Sequence, residues 1–291
     1  MASSTSNDPL LIVGSDSMIG GAILDAYCQS GTPALGSTRR PENVSSDVLH
    51  LDLADDPSNW QLTPLRAAVI CAGVTRLADC HNDPVGTARI NVDGIGALVG
   101  KLRAAGVFLI YLSTDKVFDG TIQCIASDAA YSPVTEYGRQ KMRAELNLLA
   151  SDDGPAILRL SKVLGPQNAL FADWMASLKR GEVITPFADM FLAPIPVQTV
   201  VSVVQLLVMA RVGGVWQLSG EEDVSYAQVG LRAARLLGVN EALVQSMTMA
   251  QSGMMPDPAG PYTSMNIDRL QSTFGIAPPD VWWTLESALM E

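Results

Sequence analysis

A chain of 291 residues with 48% hydrophobic and 17% charged side chains can bury a large core and has room for one large or two small domains. Its formal net charge of −11 argues against nucleic acid or an anionic membrane as a partner, since both repel an acidic surface. The two histidines and the four cysteines at unpaired spacings, Cys28, Cys71, Cys80 and Cys124, speak against a metal centre or a disulfide framework and predict reduced thiols in core or loop positions.

The opening MASSTSNDP, residues 1–9, lacks both a basic start and an apolar core, so it reads as a flexible leader rather than a signal peptide. An apolar strand over 10–13 then runs into Gly14, and a helix is expected to begin near Ser17 with Gly20 and Gly21 in its first turns. Glycines at such a turn let backbone approach a pyrophosphate, and the first amides of the helix, those of Ser17, Met18 and Ile19, are free to bind it. The spacing is Gly-x-x-Ser-x-x-Gly. Ser17 replaces a glycine there, and its hydroxyl either adds a phosphate contact or crowds the approach.

A second strand over 33–36 leads into Ser37, Thr38, Arg39 and Arg40, with no acid in that run before Glu42. A pocket for NAD usually places a carboxylate after this strand, whereas a 2′-phosphate needs hydroxyls and guanidiniums. The segment therefore points to NADPH. Strands over 47–51 and 67–71 follow, then a helical stretch over 84–105. His81, ahead of that helix, reads as a loop residue.

The strand over 107–112 ends at Ser113 and Thr114; Tyr137 comes 23 residues after Thr114 and Lys141 four residues later, on a helix over 133–150. Four-residue spacing puts a phenol and an ammonium on one helical face, where the charge can stabilise a phenolate. Reducing a ketone needs a proton donor beside its oxygen, and a phenol must be tuned by its surroundings to serve. Thr114, with Ser113 in support, would donate a hydrogen bond to the same oxygen.

Strands over 156–160 and 214–218 complete a set of seven that alternate with helices, as parallel crossovers require. Between them Val197–Ala210, interrupted by Gln198, Thr199, Ser202 and Gln205, predicts a buried helix rather than a membrane span. The composition suits a soluble, cytoplasmic chain. Arg39, Arg40, Lys141 and Arg159 are the candidates for concentrating positive charge on an anionic ligand.

The runs LSTDKVFDG, Ser132-Pro133 and YGRQKMRAE together resemble the extended short-chain dehydrogenase/reductases, and within them the dTDP-4-dehydrorhamnose reductase group. That resemblance implies an α/β fold: a Rossmann-type doubly wound parallel sheet, residues 10–164 plus 197–219, with a smaller substrate-binding domain from insertions at 165–196 and 220–291. It also implies NADPH-dependent reduction of a nucleotide-linked keto sugar, with Tyr137 as proton donor and Lys141 holding the nicotinamide ribose. Asp52 and Leu53 in LDLAD resemble the segment that contacts adenine. Cys71, Ala72 and Gly73 in CAGVT resemble the loop beside the nicotinamide ribose, and Asn91 in INVDG resembles an asparagine that orders active-site water.

The family often pairs the helices near 84–105 and 133–150 into a four-helix interface, which implies a homodimer. The stretch MMPDPAGPYTSMNIDRL, with Asn266 and Arg269, would form a lid over the sugar nucleotide, and Met247, Met249, Met254 and Met255 read as flexible core fillers. Lys116 stands where related dehydratases carry a catalytic glutamate, which argues against dehydration. Lys162 occupies a position often aromatic in the rhamnose-pathway enzymes, and 185–196 follows the family pattern loosely, so the sugar is left open. Two alternatives remain: an epimerase of the same superfamily, or a subunit that binds NADP and regulates a partner enzyme.

Overall fold

A computed structural model describes residues 8–150, 154–166, 168–253 and 258–290. Most of the expected leader, and Met254 and Met255, lie outside the described residues. In chain order the regular elements are β1 (Leu10–Val13), α1 (Met18–Gln29), β2 (Ala34–Thr38), β3 (Val48–His50), β4 (Ala67–Ile70), α2 (Leu77–Asn82), α3 (Pro84–Ala88), α4 (Ile95–Ala104), β5 (Phe108–Thr114) and α5 (Glu136–Leu149). They continue with β6 (Ala156–Leu160), β7 (Val163–Leu164), α6 (Ala169–Lys179), β8 (Phe191–Leu192), β9 (Ile195–Pro196), α7 (Val197–Ala210) and β10 (Gly214–Leu218). The C-terminal set is β11 (Val224–Ser225), α8 (Tyr226–Leu237), α9 (Asp268–Phe274) and α10 (Val281–Met290).

The seven expected strands form one sheet, in the order β10-β6-β5-β4-β1-β2-β3. The pairs β1–β2, β1–β4, β2–β3 and β4–β5 are all parallel. Strands covered on both faces read as continuous apolar runs, as β1, β4 and most of β5 do here. On one face Leu11, Val13, Ala68, Ile70, Leu109 and Tyr111, two apart along each strand, pack with Ile95, Leu98 and Leu102 of α4. The helix expected from its apolar run, α7, buries Val200, Val203, Val204 and Leu207 and packs beside α1. The strand order reverses between β1 and β4, where an open α/β sheet characteristically leaves a crevice for a ligand at the carboxyl ends of its strands.

Two compact units are present. Unit 1 takes residues up to Phe118 together with Ala130–Arg159 and Val197–Trp216, and unit 2 takes Asp119–Ala129, Leu160–Pro196 and Gln217 onward. The divisions after Arg159 and Trp216, and the assignment of 119–129 to unit 2, differ from the boundaries expected at 164 and 219. Short bridges explain this: Ile125 pairs with Met265, and the Gln217 amide donates to the carbonyls of Ile125 and Asn266. The core of unit 2 is helical, with Phe171, Met175 and Leu178 of α6 against Val229 and Ala233 of α8 and Leu285 and Leu289 of α10. Met249 is buried, and the Asn266 side chain is used locally with Asp268.

Two elements differ from expectation for physical reasons. The helix expected over 84–105 is divided into α3, a π-helical turn at Arg89–Gly94 and α4. The wide turn sets Asn91 against Val74 and brings Gly94 so close to Leu53 that a β-carbon on it would lie 2.1 Å from the Leu53 carbonyl oxygen. His81 lies on α2, on an exposed face, and not in a loop. Of the thiols, Cys28 is exposed on α1 rather than in core or loop.

Arg159, expected among the cations for an anionic ligand, is instead buried on β6. Its guanidinium meets Glu145 of α5 at 2.8 Å, with side-chain exposures of 2% and 0%. The carboxylate also accepts from Tyr131 at 2.8 Å and from the Ser113 hydroxyl. Removing one partner of such a pair strands the other charge in the interior. Arg159→Leu should therefore lower stability by about 3–5 kcal/mol in urea denaturation, while Arg180→Ala, at an exposed pair with Glu182, should leave the midpoint nearly unchanged. Equal midpoints for the two variants would contradict a stabilising role for the buried pair.

Candidate active site

The turn from β1 into α1 is closed by hydrogen bonds. Ser17 caps α1: its hydroxyl accepts from the Gly20 amide at 3.0 Å and donates to the Gly14 carbonyl at 2.8 Å. Both functions of that hydroxyl are therefore occupied locally. Gly14 has φ +85°, and a β-carbon there would lie 2.9 Å from Ala72. A β-carbon on Gly20 would lie 2.3 Å from the Gly14 carbonyl oxygen. No larger residue fits either place without moving backbone, and the first amides of α1, including those of Met18 and Ile19, lack partners within the helix by construction. The turn thus fits a pyrophosphate.

β2 runs two residues further than expected, so Ser37 and Thr38 are buried strand residues, each 1% exposed. Ser37 accepts the Gly14 amide through its hydroxyl and the Ser15 amide through its carbonyl. Thr38 donates to the carboxylate of Asp16 at 2.5 Å and accepts from the Arg40 amide at 3.0 Å. Arg39 and Arg40 follow, exposed. The Asp52 side chain accepts from the Ala54 amide at 2.9 Å, while Leu53 beside it is buried.

After β4, Cys71, Ala72 and Gly73 lie at the strand end, and burial pushes the Cys71 thiol up to about 12, leaving it unreactive. Gly73 has φ +155°, with Asn91 Oδ1 only 3.0 Å from where a β-carbon would sit. The Asn91 amide is fully engaged. Its oxygen accepts from Val74 N at 2.7 Å, and its nitrogen donates to Val74 O and to Gln140 Oε1, both at 2.8 Å. Asn91 therefore clamps the β4 loop to α5.

Gln140, 0% exposed, completes the clamp by donating to Thr87 and to the Pro84 carbonyl.

Strand β5 carries Ser113 and Thr114 at its end. The Ser113 hydroxyl donates to Glu145, so it supports the buried carboxylate. Thr114 donates to Asp115 at 3.0 Å and accepts from the Lys116 amide at 3.2 Å. Thr135 caps α5 through the Gly138 amide at 3.0 Å. A β-carbon on Gly138 would strike the Lys116 carbonyl at 2.0 Å, so this glycine is what lets the first turn of α5 close on the end of β5.

Tyr137 sits in that first turn. Burial pushes its phenol well up, the Asp115 carboxylate adds to the rise, and the Thr114 hydroxyl, within hydrogen-bonding reach, opposes it. The phenol is therefore neutral and holds its proton at physiological pH. Lys141, one turn on, donates to the Leu112 carbonyl at 2.7 Å and lies 4.0 Å from the centre of the Tyr111 ring. Burial lowers the lysine to about 8, with Glu145 and Cys71 opposing.

The family model described as RmlD substrate binding domain matches residues 8–291. The chain belongs to this family. Within reach of it, the "probable low-salt glycan biosynthesis reductase Agl14" of Haloferax volcanii is 24% identical over 289 residues, covering 96% of this chain and 95% of the relative. The methionine adenosyltransferase 2 subunit beta of Bos taurus is 30% identical over 166 residues, covering 56% of this chain and 49% of that one; the chain thus aligns with about half the length of that relative. Among solved structures, the dTDP-4-dehydrorhamnose reductase of Bacillus anthracis in complex with NADP superposes with a TM-score of 0.81 at 18% identity, covering 99% of both chains. The Bordetella bronchiseptica enzyme WbmG in complex with NAD gives 0.81 at 20%, covering 100% of this chain and 95% of that one. These structural likenesses show the fold.

For a member of the RmlD family, the residues that sequence reasoning passed over are Asp16, Asp115, Gly138, Gln140 and Glu145. Glu145 carried a legible signal, since it follows Lys141 by the same four-residue step that links Lys141 to Tyr137. Asp16 and Gln140 act across 22 and 49 residues, a separation that no local pattern encodes. Lys116, at the expected dehydratase-glutamate position, is ion-paired with Asp115 at 3.7 Å, and Lys162 is exposed in the loop after β6.

The lowered Lys141 has a thermodynamic signature. Between about 8 and its ordinary 10.5, the unfolded chain holds this proton and the folded chain does not, so the lysine's contribution to stability rises with pH across that window. Urea denaturation of Lys141→Met from pH 8 to 10.5 should show a flatter rise than the parent chain. Identical pH slopes would contradict the buried, lowered lysine.

Proposed function

We propose that this protein reduces a keto group on a nucleotide-linked sugar, the C4 ketone of a 4-keto-6-deoxyhexose, with NADPH as reductant. The observation that carries the reading is the neutral, half-buried Tyr137 phenol beside the Thr114 hydroxyl at the end of β5. A ketone oxygen that meets this pair takes a hydrogen bond from Thr114, once that hydroxyl turns from Asp115, and a proton from Tyr137. The bound nicotinamide supplies the hydride for the carbonyl carbon.

A phenol raised by burial holds its proton at neutral pH, the form in which it can donate to a ketone oxygen. Lys141 is placed to donate to ribose hydroxyls once it turns from the Leu112 carbonyl, and at about 8 it keeps most of its charge at neutral pH. Ser113 acts one step back, by holding Glu145. Gly14, Met18, Ile19 and Gly20 would receive the pyrophosphate, Thr38, Arg39 and Arg40 the adenosine ribose end, Asp52 and Leu53 the adenine, and Cys71, Ala72 and Gly73 the nicotinamide ribose. Recognition of the nucleotide sugar is assigned to unit 2.

The likeness to methionine adenosyltransferase 2 subunit beta supports a second reading, a dinucleotide-binding regulatory subunit. Turnover separates the two. With a panel of nucleotide-linked 4-keto-6-deoxysugars, NADPH should be consumed, and Tyr137→Phe should lose about 10²-fold or more in kcat, in line with the usual worth of a positioned acid, with NADPH affinity held. Tight NADPH binding without turnover of any sugar would replace the reductase with the regulatory subunit.

A further inference from the structure

The exposed carboxylate of Asp16 lies against the end of β2, bonded to Thr38 and Asn43 on either side of Arg39 and Arg40. NADP carries a 2′-phosphate on its adenosine ribose, and NAD carries a hydroxyl there that a carboxylate at the end of the second strand can accept. The sequence of β2 and its loop offers only hydroxyls and guanidiniums at this point. The fold adds an acid to it from another segment, the β1–α1 turn.

Asp16 is firmly placed. The turn that bears it is stitched to β2 by Gly14 N to Ser37 Oγ at 3.1 Å, Ser15 N to Ser37 O at 2.9 Å and Ser15 Oγ to Ser37 O at 3.1 Å. The absence of a side chain at Gly36 makes room for it, since a β-carbon there would lie 2.5 Å from Ser15 Oγ. One Asp16 oxygen then accepts from Thr38 at 2.5 Å and the other from Asn43 Nδ2 at 3.3 Å. These two donors bracket Arg39 and Arg40, so the carboxylate ties down both ends of the segment that carries the guanidiniums.

We propose that Asp16 narrows the preference for NADPH over NADH: its charge opposes the 2′-phosphate that Arg39 and Arg40 attract, and its remaining lone pairs can accept the ribose hydroxyl of NADH. The proposal rests on the nicotinamide reading above. Asp16→Asn keeps an oxygen to accept from Thr38 and gives up the charge together with the weaker acceptor for Asn43, whereas Asp16→Ala removes the charge and both hydrogen bonds.

The test is the dissociation constants of NADPH and NADH for the full chain, measured by calorimetry without sugar. In Asp16→Asn the ratio of the NADH to the NADPH constant should rise by about tenfold, the size of one like-charge contact in a partly solvated site, and the rise should shrink as ionic strength increases. Asp16→Ala should shift the ratio in the same direction. An unchanged ratio in Asp16→Asn, or a shift confined to Asp16→Ala, would overturn the proposal and leave the nicotinamide reading standing. A parent chain that binds neither dinucleotide would overturn both.

Discussion

One buried charge pair fixes the geometry on which the rest of unit 1 depends. Glu145 and Arg159 cannot be left unpaired in an interior that excludes water, and they join the middle of α5 to β6 at 2.8 Å. Ser113 from β5 and Tyr131 from the loop before α5 complete the carboxylate's partners. With Glu145 inward, helical geometry places Lys141 and Tyr137, one and two turns earlier, along the same face. The helix therefore cannot rotate its phenol and ammonium away from the end of β5 without breaking the pair. Gly138 sets the remaining degree of freedom, because any side chain there would hold α5 off the Lys116 carbonyl.

Within that frame, burial acts oppositely on the two titrating groups. It favours the uncharged form of each, which raises an acid and lowers a base. Tyr137 consequently keeps its proton, and Lys141 approaches the physiological range. Their roles are thereby separated. The tyrosine carries its proton at neutral pH, and the lysine is a hydrogen-bond donor already oriented by the Leu112 carbonyl and the Tyr111 ring. Asn91 and Gln140 add rigidity from the other side by locking α5 to the β4 loop.

Much of this was legible in the sequence. The seven strands, the Gly14 turn, α7 and the Tyr137–Lys141 face follow from apolar runs, glycine placement and four-residue spacing, all local signals. What escaped was non-local. Arg159 reads as a free cation until its partner on α5 is known, and β2 reads as acid-free until Asp16 arrives from the preceding turn. Ser17 reads as a phosphate ligand or an obstacle, yet its hydroxyl is consumed by Gly14 and Gly20. In each case the residue type was informative and its partner was not, because hydrogen-bond partners are chosen by the fold. The same holds for the π-helical turn, which satisfies contacts of Asn91 and Gly94 that no helical periodicity announces.

In the proposed reaction a ketone receives its proton from Tyr137 and its hydride from a nicotinamide in a single reductive event. The most direct measurement is isotopic: incubate the protein with 4-deuterated NADPH and a nucleotide-linked 4-keto-6-deoxysugar, then locate the label in the product by nuclear magnetic resonance. The account predicts one deuterium on the sugar carbon that gains the hydroxyl, with one equivalent of oxidised cofactor released. A rearranged sugar without label and without net cofactor oxidation would contradict it.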